Sequence, residues 1–334
     1  MQAYLLFAGK RLLQLIAVIV FGVSGMFFIT YLSPIDPVEQ VLGRLSSRSN
    51  LSPEAIASTR EALQAMFGTD QPIFTQYLSY WSRMVRGDLG ASLMAFPTPA
   101  MDLVMRSLPW TLGLLLTSTI FTFVVGNIMG GLAGYFQNSR FLKAFGIISM
   151  GLQPIPYYIV AFIILIIFGF LWPVLPISGG FSMDVRPGWS LTFILSVLQH
   201  SLLPALSLVL VGLGGWFIGM RALVSNIVTE DYVTYAELAG VKRDTIVGSY
   251  VMRNALVPQV LALAMVIGQV FSGTIIIEQV FNYPGLGSLL VDAVNYGDYS
   301  TVMAVCTVSV AAVATAIFIV DLLHPILDPR VRAE

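Results

Sequence analysis

Long apolar segments alternate along the chain with shorter polar ones. Six of the apolar segments approach or exceed the length of a membrane span: 12–32, 109–135, 145–171, 201–221, 257–278 and 301–323. An α-helix needs about 20 apolar residues to cross the hydrocarbon core of a bilayer. The centres of these segments contain no Asp, Glu, Lys or Arg, since burying a charge in lipid is costly. The pattern predicts an all-α polytopic membrane protein with six transmembrane helices.

Lys and Arg are distributed unevenly between the segments that connect these spans. Ten of the 17 basic residues fall within about 68 residues on one side, namely 1–11, 136–144, 222–256 and 324–334 together with Arg221. The other seven are spread over about 127 residues on the opposite side. By the positive-inside rule, the N- and C-termini are both predicted to be cytoplasmic. Segment 12–32 exceeds a signal-peptide core and is followed by no Ala-x-Ala site, so we expect it to be a retained helix.

Composition agrees with a membrane protein and excludes several other classes. The chain of 334 residues is 57% hydrophobic and 10% charged, whereas soluble domains are about 25% charged. The net charge of −1 and the lack of a basic stripe give no basis for nucleic-acid binding. Cys306 is the single cysteine of the sequence, which excludes an internal disulfide and a thiolate metal cluster.

The predicted domain organisation is an N-terminus with the first span (1–32), an external helical segment (33–108) and a core of five further spans (109–334). The external segment contains two amphipathic patterns. The first starts at Ser52 and Pro53 and stops at Gly68, and the second follows Pro72 and stops at Gly87. Two helices on the outer face are expected, either as a lid packed on the bundle or as a docking surface for an external partner.

The predicted cytoplasmic loop 222–256 is long, compatible with helix and mixed in charge. We expect a short helix over about 229–239 that ends at Gly240, because glycine is a common helix stop. A second helix is expected from about 242 to the region 254–258. The loop is either a docking site for a cytoplasmic partner or a solvated connector.

Two features of the spans bear on a transport pathway. The string Gln153-Pro154-Ile155-Pro156 interrupts the third apolar segment, and two prolines there predict a kink or break. The bend either lines a pathway or is purely structural, and Gln153, Pro154, Pro156 and Gln269 are the candidate lining residues. Gly126, Gly130 and Gly134 repeat at a spacing that allows close helix packing.

The sequence offers little chemistry of its own. His200 and His324 fall on opposite sides of the membrane in the predicted topology, so no catalytic pair or metal site is expected from them. No Gly-x-x-x-x-Gly-Lys-Ser/Thr motif occurs, so this chain is not expected to bind or hydrolyse ATP through a P-loop. Three functions remain open at this point: a permease subunit driven by a separate ATPase, an ion-coupled carrier, or a channel. A structural or assembly factor is a further alternative.

A family resemblance narrows these alternatives. The stretch Asp231–Gly240, followed by Arg253–Pro258, resembles the cytoplasmic loop of binding-protein-dependent ABC importer permeases. Within them it is most similar to the first permease subunit of the dipeptide/oligopeptide/nickel group, which has the same spacing from Gly240 to Pro258. Further matches follow in the family's order: 70–72, 86–92, 106–112, 154–156, 175–179, 203–206, 278–281, 284–287 and 327–330.

The resemblance implies a type I importer permease fold in the bacterial cytoplasmic membrane. It also implies several partners: a second, homologous permease subunit in a heterodimer, two cytoplasmic ATPase subunits that bind ATP and Mg, and an extracellular or periplasmic solute-binding protein. The transported solute is expected to be a peptide, with oligosaccharide, a nickel complex or an opine as alternatives.

The resemblance also assigns candidate residues. The loop residues expected to couple to the ATPase are Asp231, Tyr232, Tyr235, Ala236, Glu237, Leu238, Ala239 and Gly240. Tyr235, Ala236 and Glu237 occupy the Glu-Ala-Ala places of the family motif, from which Tyr235 and Glu237 depart. Glu278 with Pro284, Gly285 and Gly287 is expected to shape a turn near the external gate.

Overall fold

The computed structural model describes residues 2–32, 52–67, 71–269 and 275–327, with a few further positions between 38 and 46. Over these residues the chain is helical, and its β-structure is limited to one isolated bridge between Ala91 and Pro99. The helices before the third span are α1 (Gln2–Tyr31), α2 (Pro53–Phe67), α3 (Ile73–Val85) and α4 (Ala100–Tyr135). The next group is α5 (Arg140–Leu152), α6 (Tyr157–Leu165), α7 (Leu191–Ile227), α8 (Asp231–Leu238) and α9 (Arg243–Thr245). The last group is α10 (Arg253–Gln269), α11 (Ile275–Val280), α12 (Leu286–Tyr296) and α13 (Tyr299–Leu327).

Five of the described helical stretches are long and apolar enough to cross a membrane: Leu6–Tyr31, Ala100–Tyr135, Leu191–Ile227, Arg243–Ile267 and Tyr299–Leu322. A sixth span is formed if α5 and the stretch Tyr157–Leu171 are counted together, although they are bent by 105° at the break between them. The stretch after α6, Ile166–Leu171, is π-helical. The multi-span, all-α architecture predicted from the apolar pattern is thereby confirmed.

The break in the third span falls where the two prolines stand. α5 ends at Leu152, Gln153 caps it, and Pro156 caps the start of α6. Proline lacks a backbone N–H and its ring clashes with the preceding turn, so two prolines two residues apart end one helix and begin another. The predicted kink or break is confirmed, and its size could not be read from the sequence.

Several helices extend beyond their apolar segments. α4 begins at Ala100 rather than at 109, and α7 begins at Leu191 rather than at 201. The predicted starts stopped at polar residues, Arg106 and Ser107 in α4 and Gln199 and His200 in α7, which do not interrupt either helix. The second loop helix is also different from the prediction, because α9, a π-helical segment (Ile246–Met252) and α10 run on without a stop at 254–258.

Within the predicted fifth span, 257–278, the described residues form α10 (Arg253–Gln269) and the start of α11 (Ile275–Val280), and residues 270–274 lie outside the described part of the chain. The segment that follows contains α12, a helix that was not predicted from the sequence. Gly68 and residues 328–330, which were assigned roles in the sequence, lie outside the described residues.

The chain divides into two compact units, Met1–Trp110 with Pro284–Thr315, and Thr111–Tyr283 with Ala316–Glu334. The first unit therefore contains the segment 33–108 together with α1, α12 and the beginning of α13. Its apolar core joins all of these parts and includes Val23, Tyr80, Val104, Leu289 and Ala304. The predicted boundaries at 32 and 108 follow membrane topology rather than packing, and they stay a prediction.

The second unit is built on α7. The helices α5 and α6 both pack on α7, and α10 contacts it as well. Close approach of α4 to α7 depends on the glycines predicted for helix packing: a Cβ at Gly134 would lie 2.8 Å from the carbonyl oxygen of Arg221. A Cβ at Gly126 would likewise meet Leu213 and Trp216. These contacts pack α4 against α7 as far as Arg221 and Val224, where the predicted cytoplasmic loop begins.

Candidate functional site

The predicted coupling loop forms a short helix, α8, with one buried and one exposed face. Val233 is fully buried and Ala236 nearly so, three residues apart on the inner side. On the outer side Tyr235 is 70% and Leu238 79% exposed, and Tyr232 is partly exposed. Asp231, Glu237, Ala239 and Gly240 are also exposed. A short helix that leaves a tyrosine and a leucine in solvent offers an apolar contact to another surface.

Ala236 differs in its placement from the other loop candidates. The resemblance placed its small side chain where a partner helix would approach. In the structure it packs with Met220, Ile246 and Val251 of the same chain. The small side chain thus allows α8 to lie close to its own base, and the exposed candidates are left to meet a partner.

Gly240 terminates α8 in the left-handed conformation, with φ of +73°. The N–H of Gly240 donates to the carbonyl of Glu237 at 3.0 Å, and the N–H of Val241 donates to that of Ala236 at 3.1 Å. This pair of bonds is the Schellman motif, in which glycine adopts at little cost a conformation that other residues adopt with strain. The predicted stop at Gly240 is confirmed.

Polar contacts hold the first turn of α8 against the later part of the loop. Asn254 Nδ2 donates to the hydroxyl of Tyr232 at 3.1 Å and to the carbonyl of Tyr250 at 2.7 Å. The guanidinium of Arg243 lies over the rings of Tyr135 and Phe136, 5.4 Å and 4.8 Å from their centroids. Such cation–π contacts fasten α9 to the end of α4.

The π-helical segment after α9 carries a second link to the spans. Met252, its last residue, inserts where Gly131 leaves a notch in α4, because a Cβ at Gly131 would overlap the methionine sulfur. Val251 of the same segment is buried beneath α8. The segment beneath α8 therefore also contacts α4 and leads directly into α10.

The candidate gate residue Glu278 is fully buried, although the sequence placed it at the edge of a span. The hydroxyl of Thr111, on α4, donates to Glu278 Oε1 at 2.7 Å. A buried carboxylate is tolerated when donors satisfy its oxygens. In this conformation Glu278 connects α11 to α4.

Tyr283 follows Glu278 by five residues and is also buried. Its N–H donates to the carbonyl of Glu278 at 2.7 Å, and its hydroxyl lies 2.9 Å from Ser201 Oγ on α7. Burial raises the pKa of the Tyr283 phenol above its ordinary value. The turn between them includes Asn282 with a positive φ of 44°. Together these contacts hold α11 to α4 and α7.

The remaining candidates are spread over both units. Pro284, Gly285 and Gly287 belong to the first unit, where Gly285 precedes α12 and both glycines are buried. Gln153, Pro154 and Pro156 belong to the second unit and are exposed at the break between α5 and α6. The side chain of Gln269 lies outside the described residues.

Sequence reasoning missed the contacts that join distant segments. Neither Thr111 nor Ser201 was selected, because a hydroxyl residue in an apolar span gives no signal by itself. Tyr232 and Asn254 were both named in the loop motif, and their hydrogen bond could not be read from spacing alone.

Comparisons with known proteins identify the family of the chain. The family model for the binding-protein-dependent transport system inner membrane component matches residues 126–333. Over 332 residues, 99% of this chain and 100% of the relative, the chain is 27% identical to the oligopeptide transport system permease protein AppB of Bacillus subtilis. It is 28% identical over 323 residues, 97% of each chain, to the glutathione transport system permease protein GsiC of Escherichia coli K12.

The matched family region contains the whole predicted coupling loop and all spans from the later part of α4 onward. The relatives align with nearly the full length of the chain, including the segment 33–108. The chain therefore belongs to the family of binding-protein-dependent transport system inner membrane components, as a multi-pass permease subunit of an ABC importer in the bacterial cytoplasmic membrane.

Proposed function

We propose that this chain, together with a second, homologous permease subunit, forms the membrane pathway of a peptide importer. Two cytoplasmic ATPase subunits bind ATP and Mg and dock on α8, and an external binding protein delivers the peptide. A peptide substrate is supported by the names of the relatives, one an oligopeptide and one a glutathione permease.

The observation that supports a coupling role is that α8 has one buried face and one exposed apolar face. Its inner face is fixed by Val233 and Ala236, while Tyr235 and Leu238 project outward. A solvated connector would expose charged and polar residues alone, whereas α8 exposes this apolar pair beside Asp231 and Glu237. The exposed apolar pair is suited to a groove on a soluble subunit, and the rigid base beneath it would transmit the movement of that subunit.

Alternating access follows from this arrangement. ATP binding would bring the two ATPase subunits together, and the attached α8 helices would move with them. Because Met252 is inserted at Gly131 and Arg243 stacks on Tyr135, α4 and α10 would follow. Rigid-body movement of this kind exposes a pathway to one side of the membrane at a time.

Uptake by the reconstituted complex tests the proposal. We expect uptake of labelled peptide into proteoliposomes to require the binding protein and ATP on the ATPase side. An ionophore that collapses ion gradients should leave this uptake unchanged. Labelled glutathione, longer peptides and an oligosaccharide, compared in parallel, identify the substrate class. Uptake that persists without ATP and is abolished by the ionophore would instead indicate an ion-coupled carrier.

A further inference from the structure

Helix α3, in the segment after the first span, is apolar on two different faces. Its inner face packs on α1 and α13 of the first unit through Tyr77 and Tyr80. Its outer face carries Phe74, Leu78 and Val85, which are 68%, 51% and 79% exposed. At 3.6 residues per turn these three positions lie within about 40° of one another, so they form a single stripe.

The inner face is anchored below the ends of two membrane spans. The hydroxyl of Tyr77 lies 2.7 Å from Ser24 Oγ on α1, and that of Tyr80 lies 2.7 Å from Thr307 Oγ1 on α13. The two spans are antiparallel and in register, because the Thr30 hydroxyl donates to Met303 Sδ at 3.2 Å, and Gly22 faces Val310. Both anchors therefore lie at a similar level along the spans.

That level can be compared with the membrane. The spans run from Leu6 to Tyr31 and from Tyr299 to Leu322. At 1.5 Å per residue, Ser24 lies about 10 Å and Thr307 about 12 Å from the nearby span ends. A hydrocarbon core about 30 Å thick, centred on each span, would place these anchors roughly 7–10 Å inside its boundary. The hydroxyls of Tyr77 and Tyr80 are thus held at the depth of lipid rather than of bulk water, and α3 lies within the length of a tyrosine side chain of that level.

The charge pattern of α3 agrees with that depth. Arg83 is the one charged residue between Ile73 and Val85. By contrast, α2, from the same segment, exposes Glu54, Arg60 and Glu61 as expected of a helix in water. An interfacial helix buries its apolar face about 5–10 Å into the boundary between headgroups and acyl chains.

The stripe is also close to an exposed apolar surface of a membrane span. Phe28 of α1 is partly exposed, and its ring stacks on that of Tyr77 with centroids 5.6 Å apart. Phe21 and Ile29 of the same span are largely exposed as well. The exposed apolar surface of α1 therefore reaches the edge of α3.

We propose that α3 is an interfacial helix whose stripe of Phe74, Leu78 and Val85 inserts into the bilayer leaflet at this end of the spans, the outer leaflet in the predicted topology. The segment that follows the first span thus returns to the membrane. It acts as a lateral anchor for α1 and α13 rather than as a free lid.

Spin labels on the intact importer test this proposal in nanodiscs of phosphatidylethanolamine and phosphatidylglycerol. In a Cys306→Ser background, nitroxides are attached to single variants Phe74→Cys, Leu78→Cys and Val85→Cys. Ala62→Cys on α2 serves as the water-facing control. We expect collisions with oxygen, which partitions into lipid, to exceed those with a water-soluble nickel chelate at the three α3 positions. The ratio should be reversed at Ala62.

Two results would overturn the proposal. Dominant collision with the chelate at all three positions would place the stripe in water. Protection from both reagents would show that a protein, such as a partner permease or the binding protein, covers it.

A second measurement needs no substitution. The unmodified importer is irradiated in nanodiscs that contain phosphatidylcholine with a diazirine on its acyl chain. Lipid adducts on the peptide 73–85 would support insertion, whereas adducts restricted to the spans would contradict it.

Discussion

At the residue scale, the hydrogen bond between Thr111 and Glu278 places a buried acidic side chain between α4 and α11. Glu278 stands at the end of an apolar segment. Its complete burial depends on a donor 167 residues earlier in the chain. The cost of burying a carboxylate is set by the groups around it, and spacing along the sequence does not specify those groups.

Thr111→Val should destabilise the protein, because it removes a donor from a buried carboxylate while keeping the shape of the side chain. A hydrogen bond to a charged group contributes about 1.5–3 kcal/mol. Thermal unfolding of the detergent-solubilised complex should therefore occur at a lower temperature for this variant. Thr111→Ser, which keeps the hydroxyl, is the control. Equal unfolding temperatures for the Val and Ser variants would show that the bond contributes nothing.

Gly240→Val should impair coupling through backbone strain. The φ of +73° at Gly240 is unfavourable for a β-branched residue, although there is open space for its side chain. Gly248→Val is the matched control, since Gly248 is also exposed and open but has no positive φ. We expect ATP-driven uptake to fall for the first variant and to persist for the second. Similar losses in both would argue against the role of the helix cap.

At the scale of elements, apolar runs predicted six spans and their approximate positions, and the described residues form five, or six if the bent third span is counted. Residues typical of helix starts and stops predicted α2, α3 and α8. The prolines at 154 and 156 predicted a break, while the angle of 105° depends on packing against α7. The two π-helical segments and the continuation of α9 into α10 were not predicted either. A π-turn adds one residue to a helical turn, and hydrophobic periodicity over so short a stretch does not reveal it.

Gly214→Ala should weaken the packing of the broken third span on α7. A Cβ at Gly214 would lie 2.5 Å from the carbonyl oxygen of Ser149, near the end of α5. Overpacking of this kind costs about 1–3 kcal/mol. Gly151→Ala is the control, because a Cβ there meets nothing within 4 Å and gains the same helix propensity. A lower unfolding temperature is expected for Gly214→Ala only, and unchanged stability would contradict the close approach.

At the scale of the whole molecule, the chain is a membrane subunit, and we propose that it receives a soluble partner at α8. The spans of the second unit supply a rigid base, and α8 presents Tyr235 and Leu238 from it. From composition and the lack of a P-loop motif, the sequence was compatible with three functions: a permease subunit, an ion-coupled carrier and a channel. The loop motif, and then the family match over residues 126–333, established the permease subunit.

Co-purification in mild detergent tests the central claim most directly, that ATPase subunits drive this chain by docking on α8. Wild-type chain, Leu238→Asp and the control Asn138→Asp would be isolated from native membranes and their partners identified by mass spectrometry. Asn138 is exposed in the turn between α4 and α5, so its variant adds the same charge elsewhere on the predicted cytoplasmic side. The account predicts ATPase subunits with the wild type and with Asn138→Asp, and their loss with Leu238→Asp. Equal recovery of the ATPase with all three chains, or its absence from the wild type, would contradict it.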